Sequence, residues 1–585
     1  MSGAVAGPRF APQRVEVERR ADGSTLLRSP DPLRPFARAV GEWLVRWASR
    51  APERCFLAQR AGDDWRRVTY AQAIDAVRRI GASLLARGLT AAAPVAVLSD
   101  NSIDHALLAL GAMHVGIPVA PISPAYSLLS RDHAKLKGIF DLLRPGLVFA
   151  DDEQRFAPAL AAVGATVTPI GSLLDIDHRN DRADEAFAAI GPDTVAKILF
   201  TSGSTGMPKG VINTQRMLCS NQQSWAQVWP FLEEAPPVFC EWLPWNHTFG
   251  GNATFNLSLR NGGTFYIDGG KPTPDLIATT ARNLRDVSPT LYFNVPRGYD
   301  LLLPLLEADA QLRESFFSRL DALFYAGAAL PQNLYDRLLA LVAAAPDRRT
   351  CMLSGWGSTE TAPLATCVHF PVDRAGVVGN PAPGVELKLV PSADKLEVRV
   401  KGPNVTPGYY GGPDLTCEAF DDEGFYKIGD AMRFVDGGDA ARGLAFDGRV
   451  AEDFKIQSGT WVNAGSIRVS LITACNALIQ DAVITGHDKP EVGALVWVNH
   501  AAARSLGLDE TAVRARLRLA LAALRVGSAG SSMAPSRLLV LDLPPSIDEG
   551  EITDKGYINQ RAVLERRAMH VEHLHAGGSG VIWAE

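Results

Sequence analysis

Apolar and polar positions fall into a regular rhythm from "FARAVGEWLVRWASRAPE", near residue 36, onward. The clearest unit is "APVAVLSDNSIDHALLALGAMHVGIPVAPISP". It offers a Val-rich strand, an Asn/Ser cluster suited to capping, a helix with apolar residues at helical spacing, a glycine stop and a second Val/Ile strand. The same order recurs in "LRPGLVFADDEQRFAPALAAVGATVTPI". Strand–helix–strand repetition predicts a doubly wound α/β architecture. "AKILFTSG" supplies another buried strand and "NTQRMLCSNQQSWAQVW" a helix, with a Gly/Ser-rich turn between them. "TLYFNV", "ALFYAG" and "TCMLSG" predict further strands, each running into a loop of glycine or small residues.

The pattern changes at "GLAFDGRVAEDFK", Gly443 to Lys455. Beyond it come a strand pair around "DAVITGHDKPEVGALVWVN", an Ala/Arg/Leu helix "TAVRARLRLALAAL" and a strand "RLLVLDL". These suffice for a small α+β unit of roughly 135 residues, a common domain size. The predicted organisation is an N-terminal domain over 1–447 and a small C-terminal domain over 448–585. Residues 1–30, polar and rich in Arg and Pro, read as an extended arm.

Composition agrees with this division, since 585 residues exceed what one hydrophobic core supports. A formal charge of -6 and a pI near 6.0 lack the basic excess that binding to a nucleic-acid backbone needs. Nucleic acid is excluded as an expected partner. The 7 cysteines are scattered, with no C-x-x-C pair, and predict buried reduced thiols. The start, "MSGAVAGPRFAPQRVEVERR", lacks the apolar core of a signal peptide, and nowhere do about 18 apolar residues run together. A cytoplasmic protein without a membrane span is the expectation.

Candidate chemistry concentrates in "LFTSGSTGMPKGV", Leu199 to Val211. A Walker loop requires a hydroxyl residue directly after its lysine, to hold magnesium. Here Lys209 is followed by Gly210, and Pro208 removes an amide donor and biases Met207 away from helical geometry. The P-loop reading fails at its defining positions. The residues still suit a polyphosphate: glycines permit close backbone approach, Ser202, Ser204 and Thr205 offer hydroxyls, and Lys209 brings positive charge. A Gly/Ser turn beside one surface lysine accounts for them as well.

The order "TSGSTGMPKG" resembles the phosphate loop of the adenylate-forming superfamily, which includes acyl-CoA synthetases, luciferases and peptide-synthetase adenylation domains. Further signatures of that superfamily follow in order, from about Phe36 to Arg567. "WGSTETAP", Trp356 to Pro363, resembles its adenine and magnesium motif, and "YAGAAL", Tyr325 to Leu330, the motif lining adenine and acyl pockets. "GFYKIGD" and "DGRV" resemble its ribose and hinge motifs, with Ile428 where a threonine is usual. "GRVAEDFKIQSG" runs one residue longer than the usual spacing to the glycine, here Gly459, so that Ala451 or Glu452 is the pivot.

The resemblance implies a large N-terminal domain of doubly wound sheets plus a distorted barrel, and a small mobile C-terminal domain. It implies ATP, Mg²⁺ and coenzyme A as co-substrates and cofactor. Thr201, Ser202, Gly203, Ser204, Thr205, Gly206 and Lys209 would bind the β- and γ-phosphates. Gly327, Ala328, Ala329, Gly355, Trp356, Gly357, Ser358 and Thr359 would hold the adenylate, and Asp430 and Arg449 the ribose. Glu360 and Thr205 would hold Mg²⁺. Lys555, in "GEITDKGYINQR", would bridge the substrate carboxylate and the α-phosphate.

The acid itself is assigned by "CEWLPWNHTFGGN", which resembles the segment bordering the acyl tunnel. His247, Phe249, Gly250, Tyr325, Gly327, Ala328 and Pro363 would line it, with His247 hydrogen-bonding the acid or gating the thiol. At finer grain the chain resembles bacterial feruloyl-CoA synthetases, which activate hydroxycinnamic acids. The "EIT" before Lys555 resembles longer-chain acyl-CoA synthetases, so a medium- or long-chain fatty acid is the alternative. Transfer to a separate carrier protein and an adenylate sensor without turnover are further alternatives. A monomer or homodimer is expected.

Overall fold

Val95–Leu98, Val119–Ile122 and Leu147–Ala150 are strands buried along their whole length. Continuous apolar runs of this kind fit a parallel sheet covered on both faces. The computed structural model describes residues 7–584 apart from 176–181, 203–205, 346–349, 477, 528, 529, 531, 554, 555 and 557. In it Val95–Leu98 lies between the other two strands, all parallel. Ile103–His114 forms the crossover helix, and the Ser102 hydroxyl caps it by accepting the His105 N–H at 3.0 Å. In the second repeat the helix is Glu153–Val163, but its returning strand shrinks to one parallel bridge, Val148 with Val167.

The glycine-rich stretch departs from the expected strand–turn–helix. Pro208–Thr214 folds back antiparallel on Val195–Ser202, in register from Val195 opposite Thr214 to Ser202 opposite Pro208. Helix Gln215–Val228 begins only after this hairpin. The β-branched residues Val211, Ile212 and Thr214 favour the extended return, and Pro208 sits at the first residue of its strand, where a missing donor is tolerated. The hairpin completes a five-stranded sheet beside Val119–Ile122.

A second sheet has 11 strands. Leu291–Asn294, Ala322–Tyr325 and Cys351–Gly357 run parallel at one edge, and the strands between 364 and 449 continue them antiparallel. At the other edge Glu16–Arg19 and Thr25–Arg28 pair as a hairpin on Glu386–Ser392, so part of the expected arm is built into the sheet, with Leu26 and Leu27 buried. Among the described residues no sheet closes; the expected distorted barrel is replaced by this open sheet.

Beyond Val450 the chain forms its own four-stranded sheet from Ile479–Thr485, Gly493–Val498, Arg537–Val540 and Ile582–Trp583. Helices Ala464–Ala474 and Glu510–Val526 bury Leu471, Leu517 and Leu521 against it. No described helix is long and apolar enough to cross a membrane. The cysteines are free thiols; Cys219, Cys240, Cys367 and Cys475 are buried, Cys55 and Cys351 half-buried, and Cys417 exposed.

Candidate functional site

The tip of the hairpin carries the first group of expected site residues. Thr201 and Lys209 are cross-strand partners, both half-buried, and Gly206 takes the positive φ of +89° that turns the chain back toward Pro208. The strand reaches Ser202; Gly203, Ser204 and Thr205 lie outside the described residues. Lys209 Nζ stands 5.5 Å from the centroid of the Tyr409 ring, a cation–π distance. The Tyr409 segment runs alongside the hairpin: the Tyr410 N–H donates to Gly210 O at 2.7 Å, and the Ile212 N–H to Gly408 O at 3.2 Å. A side chain at Gly210 would crowd Ile198, Phe200 and Tyr410.

Tyr409 links this loop to the "WGSTETAP" motif. Its hydroxyl donates to Glu360 Oε1 at 3.1 Å and lies 3.2 Å from the Tyr426 hydroxyl. Burial, then the neighbouring Glu360 charge, pushes both phenols above their usual range, so they stay protonated donors. Glu360 and Thr359 are buried in a short 3₁₀ turn, Thr359–Thr361. The turn is possible because Gly357 has no Cβ, which would collide with Pro363 O. The Ser358 N–H donates to Thr361 Oγ1 at 2.8 Å, closing the loop.

Trp356, on the bulge between Cys351–Gly357 and its partner strand, points toward Asp430. Its indole N–H donates to Asp430 Oδ2 at 2.8 Å. Asp430 and Arg449 are cross-strand partners, with Arg449 Nε 3.3 Å from Asp430 Oδ1. Burial raises the Asp430 carboxyl above its ordinary range, while Arg449 and the indole pull against that shift. Oδ1 is buried and accepts no hydrogen bond among the described residues. Arg449 itself is exposed.

On the side expected to take the acid, Tyr325 is buried and its hydroxyl accepts the Gly376 N–H at 3.1 Å. Gly327, with φ of +85°, and Ala328 and Ala329 are exposed at the end of that strand. His247 is half-buried, and its Nδ1 accepts the Phe249 N–H at 3.3 Å. Phe249 is buried 6.0 Å from both Phe293 and Phe324, which stack on each other at 4.6 Å. Trp225 packs edge-on to Phe324 and Trp229. A Cβ on Gly355 would come within 3.0 Å of Phe324 Cζ, so the absent side chain lets the Cys351–Gly357 strand meet this aromatic group. Gly250 is buried on Leu243 O and Pro244 O, while Pro363 is half-buried.

Lys209 and Glu360 are thus joined through Tyr409, and Trp356, Asp430 and Arg449 through direct bonds. Lys555 lies outside the described residues. Earlier in the same stretch of sequence, Ile547 O accepts Lys135 Nζ at 2.5 Å, and Asp548 accepts the Arg131 N–H at 3.0 Å. Among the described residues no group of three or more His, Cys, Asp or Glu side chains could cage a metal. Glu360 alone fits a cation held by one carboxylate and the oxygens of a bound phosphate, the usual arrangement for Mg²⁺. Tyr409 belongs to none of the motifs above; its signal in the sequence is an aromatic pair flanked by glycines in "TPGYYGGP".

Comparison with known proteins places the chain among acid-activating enzymes by sequence. The chain is 28% identical over 417 residues to a feruloyl-CoA synthase from an Amycolatopsis species, covering 68% of this chain and 76% of that one. It is 25% identical over 563 residues to a medium-chain fatty-acid–CoA ligase of Escherichia coli, covering 91% and 92%. The crystal structure of a carboxylate reductase adenylation domain from Mycobacterium chelonae superposes with a TM-score of 0.72 at 20% identity, covering 92% of this chain and 91% of that one. At that identity the likeness establishes the fold. Residues 44–410 match the AMP-binding enzyme family, to which the chain belongs.

Proposed function

We propose that this protein is an AMP-forming acid–CoA ligase. A carboxylate attacks the α-phosphorus of ATP, forming acyl-AMP and releasing pyrophosphate; the thiol of coenzyme A then attacks the acyl carbon, forming the thioester and releasing AMP. The observation that carries the reading is the contact chain from Lys209 through Tyr409 to Glu360, beside the Trp356–Asp430–Arg449 group. It sets a cation for phosphates, a carboxylate for a metal and a buried acceptor for ribose hydroxyls in adjoining loops. Membership of the AMP-binding family supports the same assignment.

In this reading Thr201, Ser202, Gly203, Ser204, Thr205, Gly206 and Lys209 hold the leaving pyrophosphate. The small surface at Gly327, Ala328, Ala329, Gly355, Gly357, Ser358 and Thr359 accepts the adenylate, and Asp430 and Arg449 hold the ribose. Glu360 and Thr205 hold Mg²⁺, which when bound neutralises phosphate charge. Lys555 orients the attacking carboxylate. Charge neutralisation and alignment supply the rate, because attack of one anion on another is opposed by repulsion. The block 448–585 is a separate domain that turns on Ala451 or Glu452 between the two half-reactions.

For the acid, the reading is a compact ring-bearing carboxylate, ferulate or a related hydroxycinnamate. His247, Phe249, Gly250, Tyr325 and Pro363 border it, and the space behind Phe249 is taken by Phe293, Phe324 and Trp225. Flat rings stack on such a wall, whereas a long chain needs the volume those rings fill. The fatty-acid alternative keeps its support in the E. coli relative. The deciding experiment is CoA-dependent AMP release across ferulate, coumarate, caffeate, benzoate, octanoate and palmitate. Ferulate or coumarate should dominate; dominant palmitate turnover would overturn the aromatic assignment, and AMP release without any acid dependence the ligase itself.

A further inference from the structure

Lys197 is a lysine in the middle of an otherwise apolar strand, in "VAKILF", and its side chain is almost wholly buried. Among the described residues no carboxylate lies within ion-pair distance of it. Burying an ammonium without a counter-ion is costly, so its hydrogen bonds need accounting for. Its Nζ donates to Gly251 O at 2.7 Å and to Asn252 Oδ1 at 3.3 Å. Both acceptors lie in Phe249–Thr254, a stretch of π-helix.

That wide turn is the wall on which Phe249 sits. Its backbone bonds span five residues, as where the Phe255 N–H donates to Gly250 O. Such turns are rare, and here side chains from other elements complete the hydrogen bonding. Gln222, on helix Gln215–Val228, donates its amide to Asn252 O at 2.9 Å and Ala253 O at 3.1 Å. Within the turn itself the Thr254 hydroxyl donates to Gly250 O at 3.0 Å. Asn252 reaches the second strand of the hairpin, donating to Asn213 Oδ1 at 2.8 Å. Lys197 and Asn213 are cross-strand partners, so one rung of the phosphate hairpin grips Asn252 from both strands.

We propose that Lys197 is a positioning residue that pins the Phe249–Thr254 turn to the phosphate hairpin, fixing the acid-facing wall relative to the phosphate loop. The naming of that wall rests on the function proposed above. The two sides of the contact differ in what else holds them. The hairpin keeps its own ladder and sheet, whereas the turn depends on side-chain donors from elsewhere. Losing Lys197 should therefore disturb the turn far more than the loop.

The test is Lys197→Met, with Gln222→Leu as a second variant that unpins the same turn without touching the hairpin. In K197M the KM for the acid should rise at least tenfold while the KM for ATP stays within about twofold, and Q222L should move in the same sense. Amide hydrogen exchange read without substrate should quicken at least tenfold in 249–255 and stay unchanged in 195–214. Equal rises in both KM values, or exchange unchanged in the turn, would overturn the proposal. If K197M fails to fold, Q222L decides by the same two measurements. If wild-type protein turns over no acid, the ligase reading falls and exchange alone judges the role of Lys197.

Discussion

The indole N–H of Trp356 donates to Oδ2 of Asp430 at 2.8 Å, across a gap of 74 residues in sequence. The bond favours the charged form of a buried carboxylate beside Arg449, against the burial that raises its pKa. Trp356→Phe keeps an aromatic ring and removes the donor. A hydrogen bond to a charged group contributes about 1.5–3 kcal/mol, so the KM for ATP should rise roughly 10- to 100-fold. The sign of the pH effect follows: without the donor the Asp430 pKa rises further, and the acid limb of kcat/KM for ATP should move to higher pH. An unmoved limb would show that Asp430 ionisation does not govern ATP binding.

Tyr409 supplies the next prediction, because its hydroxyl bridges Glu360 and Tyr426 while its ring faces Lys209. Tyr409→Phe removes the donor to Glu360 and keeps the ring near the lysine. Adenylation, followed as acid-dependent pyrophosphate release, should fall about tenfold, in keeping with one lost charge-assisted bond of roughly 1.5 kcal/mol. Glu360→Gln should cost more, about 100-fold at ordinary Mg²⁺, and raising the Mg²⁺ concentration should restore part of it, because a carboxylate ligand to the cation is lost. No recovery at any Mg²⁺ concentration would count against Glu360 as the residue that holds the cation.

These contacts mark how far the sequence could be read. Strand–helix–strand repetition predicts the parallel sheet, and motif order marks Lys209 and Glu360, which Tyr409 joins, and Trp356, Asp430 and Arg449, which contact one another directly. Three features were hidden for physical reasons. "STGMPKGV" carries glycines and a proline that read as a turn, yet its β-branched end pairs as a strand. Tyr409 meets Glu360 across 49 residues, and no local period encodes such a contact. Lys197 interrupts an apolar strand, where a lone polar residue gives no hint of the π-turn that receives it.

Acid stability follows from two buried imidazoles. His105 lies edge-on to Trp245 at 5.3 Å, and His114 stacks on Phe187 at 4.2 Å. Burial lowers each from 6.5 to about 4. Both are neutral in the fold, so the unfolded chain binds more protons below pH 6.5. Their contribution is complete above that pH and is lost as pH falls from 6.5 toward 4. At about 1.4 kcal/mol per pKa unit the two together cost roughly 6 kcal/mol by pH 4. Urea unfolding at pH 7, 5.5 and 4.5 should show the decline, and His114→Asn should flatten it. An equal slope in that variant would assign the loss to other groups.

Gly251 tests whether the wide turn tolerates any widening. A Cβ there would collide with Trp245 O, and one on Gly250 would meet Leu243 O and Pro244 O. Both obstacles are backbone atoms of the segment that carries His247, so the strain has no side chain to absorb it. Gly251→Ala should therefore destabilise the fold by about 1–3 kcal/mol, the usual cost of overpacking, read from the urea midpoint. It should also displace Phe249, so the KM for the acid should rise in the protein that remains folded. An alanine that changes stability and leaves the acid KM untouched would separate the turn from the acid wall. That outcome would count against the position given to Phe249 and leave the loops proposed to bind ATP unaffected, since those are held by the Tyr409 and Trp356 contacts.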